Sequence, residues 1–182
     1  PPDGGVTRYR SFIRFNNNAE PWQGGVVSSA TLTMRNFHSS GTTCTGNAVE
    51  VRRVAGAWTP GTLTWNNQPS TVAGSAATSS ARKGGDTGCA AGDVTWNITD
   101  IAKEWAGPAI NHGLRVAGYD ETKTGTYRQY RAASTANEPQ LSVTYNHYPN
   151  TPGKPTISPA SSGIATSLTP KLSATVTDPD GG

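Results

Sequence analysis

Proton transfer near neutral pH falls first to histidine, and this chain of 182 residues has three: His38, His112 and His147. Nucleophilic hydrolysis needs one of them beside a Ser or Cys and an orienting acid. The sequence has no Gly-x-Ser-x-Gly elbow and no His-Glu-x-x-His helix. His112 stands between Asn111 and Gly113 at the entry to an expected strand, and His147 near an expected linker. Glycoside hydrolysis needs two carboxylates across a cleft. Asp93, Asp100, Asp120 and Glu121 all fall at strand ends or turns, where turn and cap roles account for them. These residue types point away from an enzyme.

The aromatic residues offer a different chemistry. A sugar ring stacks its C–H face on an exposed aromatic ring, and neighbouring polar side chains bond its hydroxyls. Of the five tryptophans, Trp65, Trp96 and Trp105 occupy apolar-patterned positions and read as core. Trp58 precedes a Thr-Pro-Gly turn and fits either role. Trp22 lies in the loop Glu20-Pro21-Trp22-Gln23-Gly24-Gly25 and is the best candidate for an exposed platform. Tyr119, beside Asp120 and Glu121, is a second candidate. Tyr127 and Tyr130, flanking Arg128, are a third; in a regular strand they take opposite faces, so at most one points outward.

Calcium is the one cofactor kept open, as a structural ion held by carboxylate and backbone oxygens. The candidate ligands are Asp93, Asp120 and Glu121, with Asp86 also available; no dense Asp-x-Asp-x-Asp loop is present. Arg10, Arg14, Arg115, Arg128 and Arg131 lie within expected strands. Such a row reads as a solvated face, a protected edge or a contact for an anionic polymer.

Composition narrows the class. Charged residues are 15% of the chain, below the usual share of about a quarter. The net charge is +3 and the basic residues form no run, so no nucleic-acid footprint is visible. No apolar run approaches the roughly 18 residues of a membrane span. Cys44 and Cys89 sit in Gly/Thr-rich, loop-like surroundings outside any Cys-x-x-Cys pair. They are expected to form one disulfide, which implies a secreted or cell-surface location. The opening Pro1-Pro2-Asp3-Gly4-Gly5 reads as part of something longer.

Positioning these residues falls to short strands. Period-2 alternation marks strands at residues 9–15, 27–35, 48–54, 94–98, 113–118, 125–131 and 140–145. In the second, Ala30, Leu32 and Met34 point to one core. Thr62-Leu63-Thr64-Trp65 reads as the end of a further strand, closed by the Asn66-Asn67-Gln68-Pro69 corner. One helix is expected over Thr99–Ala106, capped by Thr99 or Asp100, with Ile101 and Trp105 on its buried face and Gly107-Pro108 ending it. The pattern predicts an all-β sandwich or barrel with one short helix over residues 1–147. A Pro-rich linker follows at 148–156. Residues 157–182 read as the opening strands of a partial second β module, immunoglobulin-like or fibronectin type III-like.

Five blocks carry a family resemblance: Arg10–Phe15; Trp58 with Thr64–Pro69; Trp96–Asp100 leading into the helix; Trp105 with Asn111–Leu114; and Pro139–Tyr145. In this order they resemble the DNRLRE-domain family of large secreted bacterial proteins. That family usually begins with an additional strand, here missing or reduced to Pro1–Val6. The resemblance implies a jelly roll similar to carbohydrate-binding modules, located near RHS-repeat regions or in wall-associated proteins. The expected function is therefore non-catalytic binding of a cell-surface or environmental polysaccharide or cell-wall glycan. Other expected partners are neighbouring domains of the same long chain. The expected ligand-binding residues are Trp22, Trp58, Tyr119, Asp120, Tyr127 and Arg128. The alternative is a disulfide-stapled structural spacer that contacts protein. The two differ in one respect: a binder exposes neighbouring aromatics on one surface, and a spacer buries them.

Overall fold

The structure is a computed structural model that describes residues 7–15, 20–85, 88–123, 125–133 and 136–181. Eight strands build the first part: β1 (Arg10–Ile13), β2 (Val26–Ser39), β3 (Thr45–Val54), β4 (Thr71–Ala81), β5 (Gly92–Asn97), β6 (Leu114–Gly118), β7 (Arg128–Tyr130) and β8 (Gln140–Asn146). They form two antiparallel sheets. One has the order β1-β6-β3-β4; in the other, β2 has β5 on one edge and β8 followed by β7 on the other. This is the expected all-β sandwich. Pro1–Val6 and the calcium candidate Asp86 lie outside the described residues.

Alternation explains the core. Ala30, Leu32 and Met34 of β2 and Val94 and Trp96 of β5 are buried, while Thr31, Thr33 and Arg35 between them are not. Val49 and Val51 of β3 and Leu114 and Val116 of β6 close on them from the facing sheet. The Trp96 indole N–H donates to the Val49 carbonyl at 3.1 Å, tying the sheets together across the core.

The helix α1 spans Thr99–Ala106 and buries Ile101 and Trp105 as its i, i+4 spacing requires. Its cap differs from expectation. Neither Thr99 nor Asp100 caps it by a side-chain bond; Ile98 is the N-cap residue, and the Asn97 carboxamide oxygen accepts the Thr99 amide at 3.1 Å. The Thr99 hydroxyl instead accepts the Ala30 amide at 3.0 Å, pinning the helix to β2.

One strand forms where none was expected, and one further expectation is corrected. β4 was not legible: Thr71–Ala81 is mostly Ala, Ser, Thr and Gly, with no large apolar residue alternating along it. It is a strand because β3 supplies a ladder beside it. Residues 62–65 are not the end of a strand. A 3-10 turn at Pro60–Thr62 leads into a loop that bonds to itself, the Asn67 carboxamide accepting the Thr64 amide and donating to the Thr62 carbonyl.

Cys44 and Cys89 form the expected disulfide, with an S–S distance of 2.03 Å. It joins the β2–β3 turn to the segment before β5. Arg82, buried beneath that turn, donates to the carbonyls of Thr43 and Ser40.

Beyond β8, β9 (Thr156–Ser158) pairs with β12 (Lys171–Ser173), and β10 (Ala160–Ser161) with β11 (Ile164–Ala165). Ile164, Leu168 and Leu172 are exposed there. No described helix is long and apolar enough to cross a membrane.

Candidate functional site

The edges of the two sheets part between β1 and β7. Tyr9, Ser11, Arg128 and Tyr130 line a cleft there of about 780 Å³, with Arg14, Trp58, Phe37 and Arg131 farther along it. A second recess, about 270 Å³, shares Tyr9, Tyr127, Arg128 and Tyr130 and extends to Arg8, Glu121 and Lys123. The larger falls in the range of small-molecule sites, about 300–1,000 Å³, and the smaller just below it.

Strand geometry places each wall. Ser11 of β1, in register with Val116 of β6, lines the cleft together with Tyr9, which immediately precedes the strand. On the opposite wall β7 is a short strand paired to the end of β2 past an irregularity between Asn36 and His38. Tyr130 turns inward and meets Trp96 edge-on at 5.7 Å. Burial pushes its phenol pKa well up, so the hydroxyl stays protonated. Tyr127 turns outward and meets Tyr9 edge-to-face, ring centroids 5.7 Å apart. Tyr9 is 66% exposed and Tyr127 36%. These two rings form the mouth of the cleft; the strand expected over 125–131 forms only at Arg128–Tyr130, so Tyr127 precedes it and no strand period governs its outward turn.

Arg128 braces the mouth. Its guanidinium donates to the carbonyls of Gly125 and Tyr127, both at 2.9 Å. Burial lowers its pKa, but an arginine remains charged at any relevant pH. Among the described lining residues, Arg8, Arg14, Lys123, Arg128 and Arg131 face one carboxylate, Glu121. Glu121 is held by Arg10, whose hydrogen bond is the main cause of its lowered pKa. The cleft is therefore cationic.

The structure brings three expected ligand residues, Trp58, Tyr127 and Arg128, to this cleft. Trp58 is half-buried, its indole N–H donating to the His112 carbonyl at 2.7 Å. Trp22 is not an exposed platform. It is 5% exposed and belongs to the core. Its loop is strapped to the end of α1, with Gly24 donating to Ala106 and Gln23 to Gly107, and this turns the ring inward. Trp65 is corrected in the opposite direction: expected in the core, it is 51% exposed. Tyr119 and Asp120 do not line the cleft. The Asp120 carboxylate accepts the hydroxyl and amide of Thr122, the hydroxyl bond being the larger cause of its lowered pKa.

The candidate calcium ligands do not converge. Asp93 pairs with Arg35, Glu121 with Arg10, and Asp120 folds into its own turn. Among the described residues no three His, Cys, Asp or Glu side chains form a group that could hold a metal ion.

Sequence reasoning missed Tyr9. The signal was present, since Tyr9 continues the alternation of Ser11 and Ile13, but it precedes Arg10, the first paired residue of β1, and so escapes the core.

Comparison with curated proteins and with solved structures gives no match. The family model for carbohydrate-binding module family 96 matches residues 3–145, which include both sheets, the helix and the described walls of the cleft. This chain belongs to carbohydrate-binding module family 96.

Proposed function

We propose that the protein is a non-catalytic module that binds a polysaccharide in the cleft between β1 and β7, with Tyr9 and Tyr127 as its sugar-stacking rings. The carrying observation is that edge-to-face pair at the mouth of a cleft. The face of an aromatic ring carries partial negative charge, which suits the C–H faces of a pyranose. A spacer would bury its aromatics; exposed Tyr9, Tyr119, Tyr127 and Trp65 favour a binder. The cationic lining favours acidic sugars, such as those of a wall or capsule polymer. Residues 1–147 are the binding unit in this reading, and residues 157–182 begin another β module.

The disulfide and the binding-module family support an extracellular location. The resemblance to the DNRLRE-domain family adds the setting of a large secreted bacterial protein with RHS repeats.

Affinity electrophoresis of the full chain in gels containing polygalacturonate or galactomannan tests the reading. Polygalacturonate is expected to retard the protein more, and Tyr127→Ala and Tyr9→Ala to weaken retardation while the thermal midpoint holds. Unchanged mobility with both polymers counts against glycan binding. Equal retardation of the wild type and both variants counts against this cleft.

A further inference from the structure

Trp65 is the one tryptophan that the fold leaves exposed, and several residues hold it there. Its loop is locked by Asn67, whose carboxamide bonds Thr64 and Thr62. Gln68 donates to the Trp65 carbonyl at 2.7 Å. The Arg10 guanidinium lies under the ring, its carbon 4.4 Å from the ring centroid. Arg10 is itself held flat: it donates to both oxygens of Glu121 and to the Gln68 carboxamide oxygen. All three guanidinium nitrogens are engaged. One indole face therefore rests on a fixed cation, and the exposed area belongs to the other face.

The position matters as much as the rigidity. Arg10 opens β1 and Tyr9 immediately precedes it; Tyr9 lines the cleft mouth, while Arg10 lines neither recess and carries the Trp65 stack. Glu121 joins them, lining the smaller recess while clasping Arg10. Trp65 lines neither recess, and the link from the recess to its ring runs through Glu121 and Arg10.

We infer that Trp65 is an outer sugar subsite that stacks a pyranose ring beyond those held in the cleft. This rests on the reading of the cleft as a glycan site. The subsite makes affinity depend on chain length: a short oligomer fills the cleft alone, and a longer one also reaches Trp65. Its rigidity means little side-chain freedom is lost on binding.

Calorimetric titration of the full chain with oligogalacturonides and manno-oligosaccharides, each as dimers and as longer oligomers, tests this. The wild type is expected to bind the longer oligomers of its preferred series more tightly than dimers. Trp65→Ala is expected to weaken the longer oligomers about tenfold and to leave dimers unchanged, with Trp65→Phe restoring most of the loss. Tyr127→Ala is expected to weaken both lengths. In the wild type, saturating long oligomer should also shield the exposed indole from acrylamide quenching. Long-oligomer affinity that is equal in wild type and Trp65→Ala, or quenching unchanged by the oligomer, overturns the outer subsite and leaves the cleft reading intact. A wild type that binds neither series at any length overturns both.

Discussion

His147 and Asp180 are joined twice, although 33 residues separate them: the imidazole Nδ1 lies 2.8 Å from one carboxylate oxygen, and the other oxygen accepts the His147 amide. The ring's Nε2 faces the Gln23 carbonyl at 3.3 Å. The contact fastens the last described turn of the chain to the end of β8.

This clasp is predicted to be pH-dependent. The Asp180 hydrogen bond and then the Gln23 carbonyl raise the His147 pKa, while His147 lowers that of Asp180. The histidine's contribution is therefore complete below its unfolded pKa and lost as pH rises through the raised folded value. The aspartate's is complete above its unfolded pKa and lost as pH falls through its lowered folded value. The pair holds between those limits. An NMR titration of the His147 ring is expected to show a midpoint above that of free histidine, and Asp180→Asn to bring it down. The same midpoint in both proteins would exclude the clasp in solution.

Glu50 is predicted to be the costliest single charge to remove. It is 4% exposed on the outer face of the β1-β6-β3-β4 sheet and takes Arg52 at 2.7 Å and Arg115 at 3.3 Å. Burial already lowers the Arg115 pKa. Glu50→Gln leaves two neighbouring cations without their counter-charge, at a cost of about 3 kcal/mol. Urea denaturation measures it; a loss within error of zero would mean that solvent reaches the pair.

Trp22 and Trp65 are predicted to separate stability from binding. Trp22→Ala removes a core ring and should cost about 3–5 kcal/mol. Trp65→Ala exposes no core, and should cost roughly 1 kcal/mol or less, the scale of one exposed cation–π contact. Chemical denaturation of both variants checks this, and comparable losses would refute the assignment of Trp22 to the core and Trp65 to the surface.

That exchange of roles marks the boundary of what the residues alone could reveal. Alternation located Ala30, Leu32, Met34 and Trp96, and spacing located Ile101 and Trp105, because both periods are local. Trp22 was misjudged because its loop is turned inward by bonds to Ala106 and Gly107, more than 80 residues away. Trp65 was misjudged because an apolar neighbour and a Thr run imitate a strand, while the loop satisfies its own backbone through Asn67. The cleft was half legible: Tyr127 and Arg128 stood out in sequence, but their meeting with Tyr9 depends on two sheet edges lying side by side.

The disulfide is predicted to contribute substantially to stability. Cys44 and Cys89 are 45 positions apart, and closing a loop of that size removes about 4 kcal/mol of unfolded-chain entropy in the chain-entropy model. The double variant Cys44→Ala/Cys89→Ala should unfold at a lower urea concentration by a corresponding amount. An unchanged midpoint would mean that the turn around Arg82 holds without the bond.

β2 is paired on both edges: Thr31, Leu32 and Thr33 face β5 on one side and β8 on the other, and Asn36 sits between β5 and β7. Fraying of any single neighbour leaves this segment held by another. Its amides can meet deuterium only when the sandwich opens as a whole. The middle of β2 is thus the module's internal clock, and its slowest exchange rate reports the global unfolding free energy, including any increment that a bound sugar chain adds.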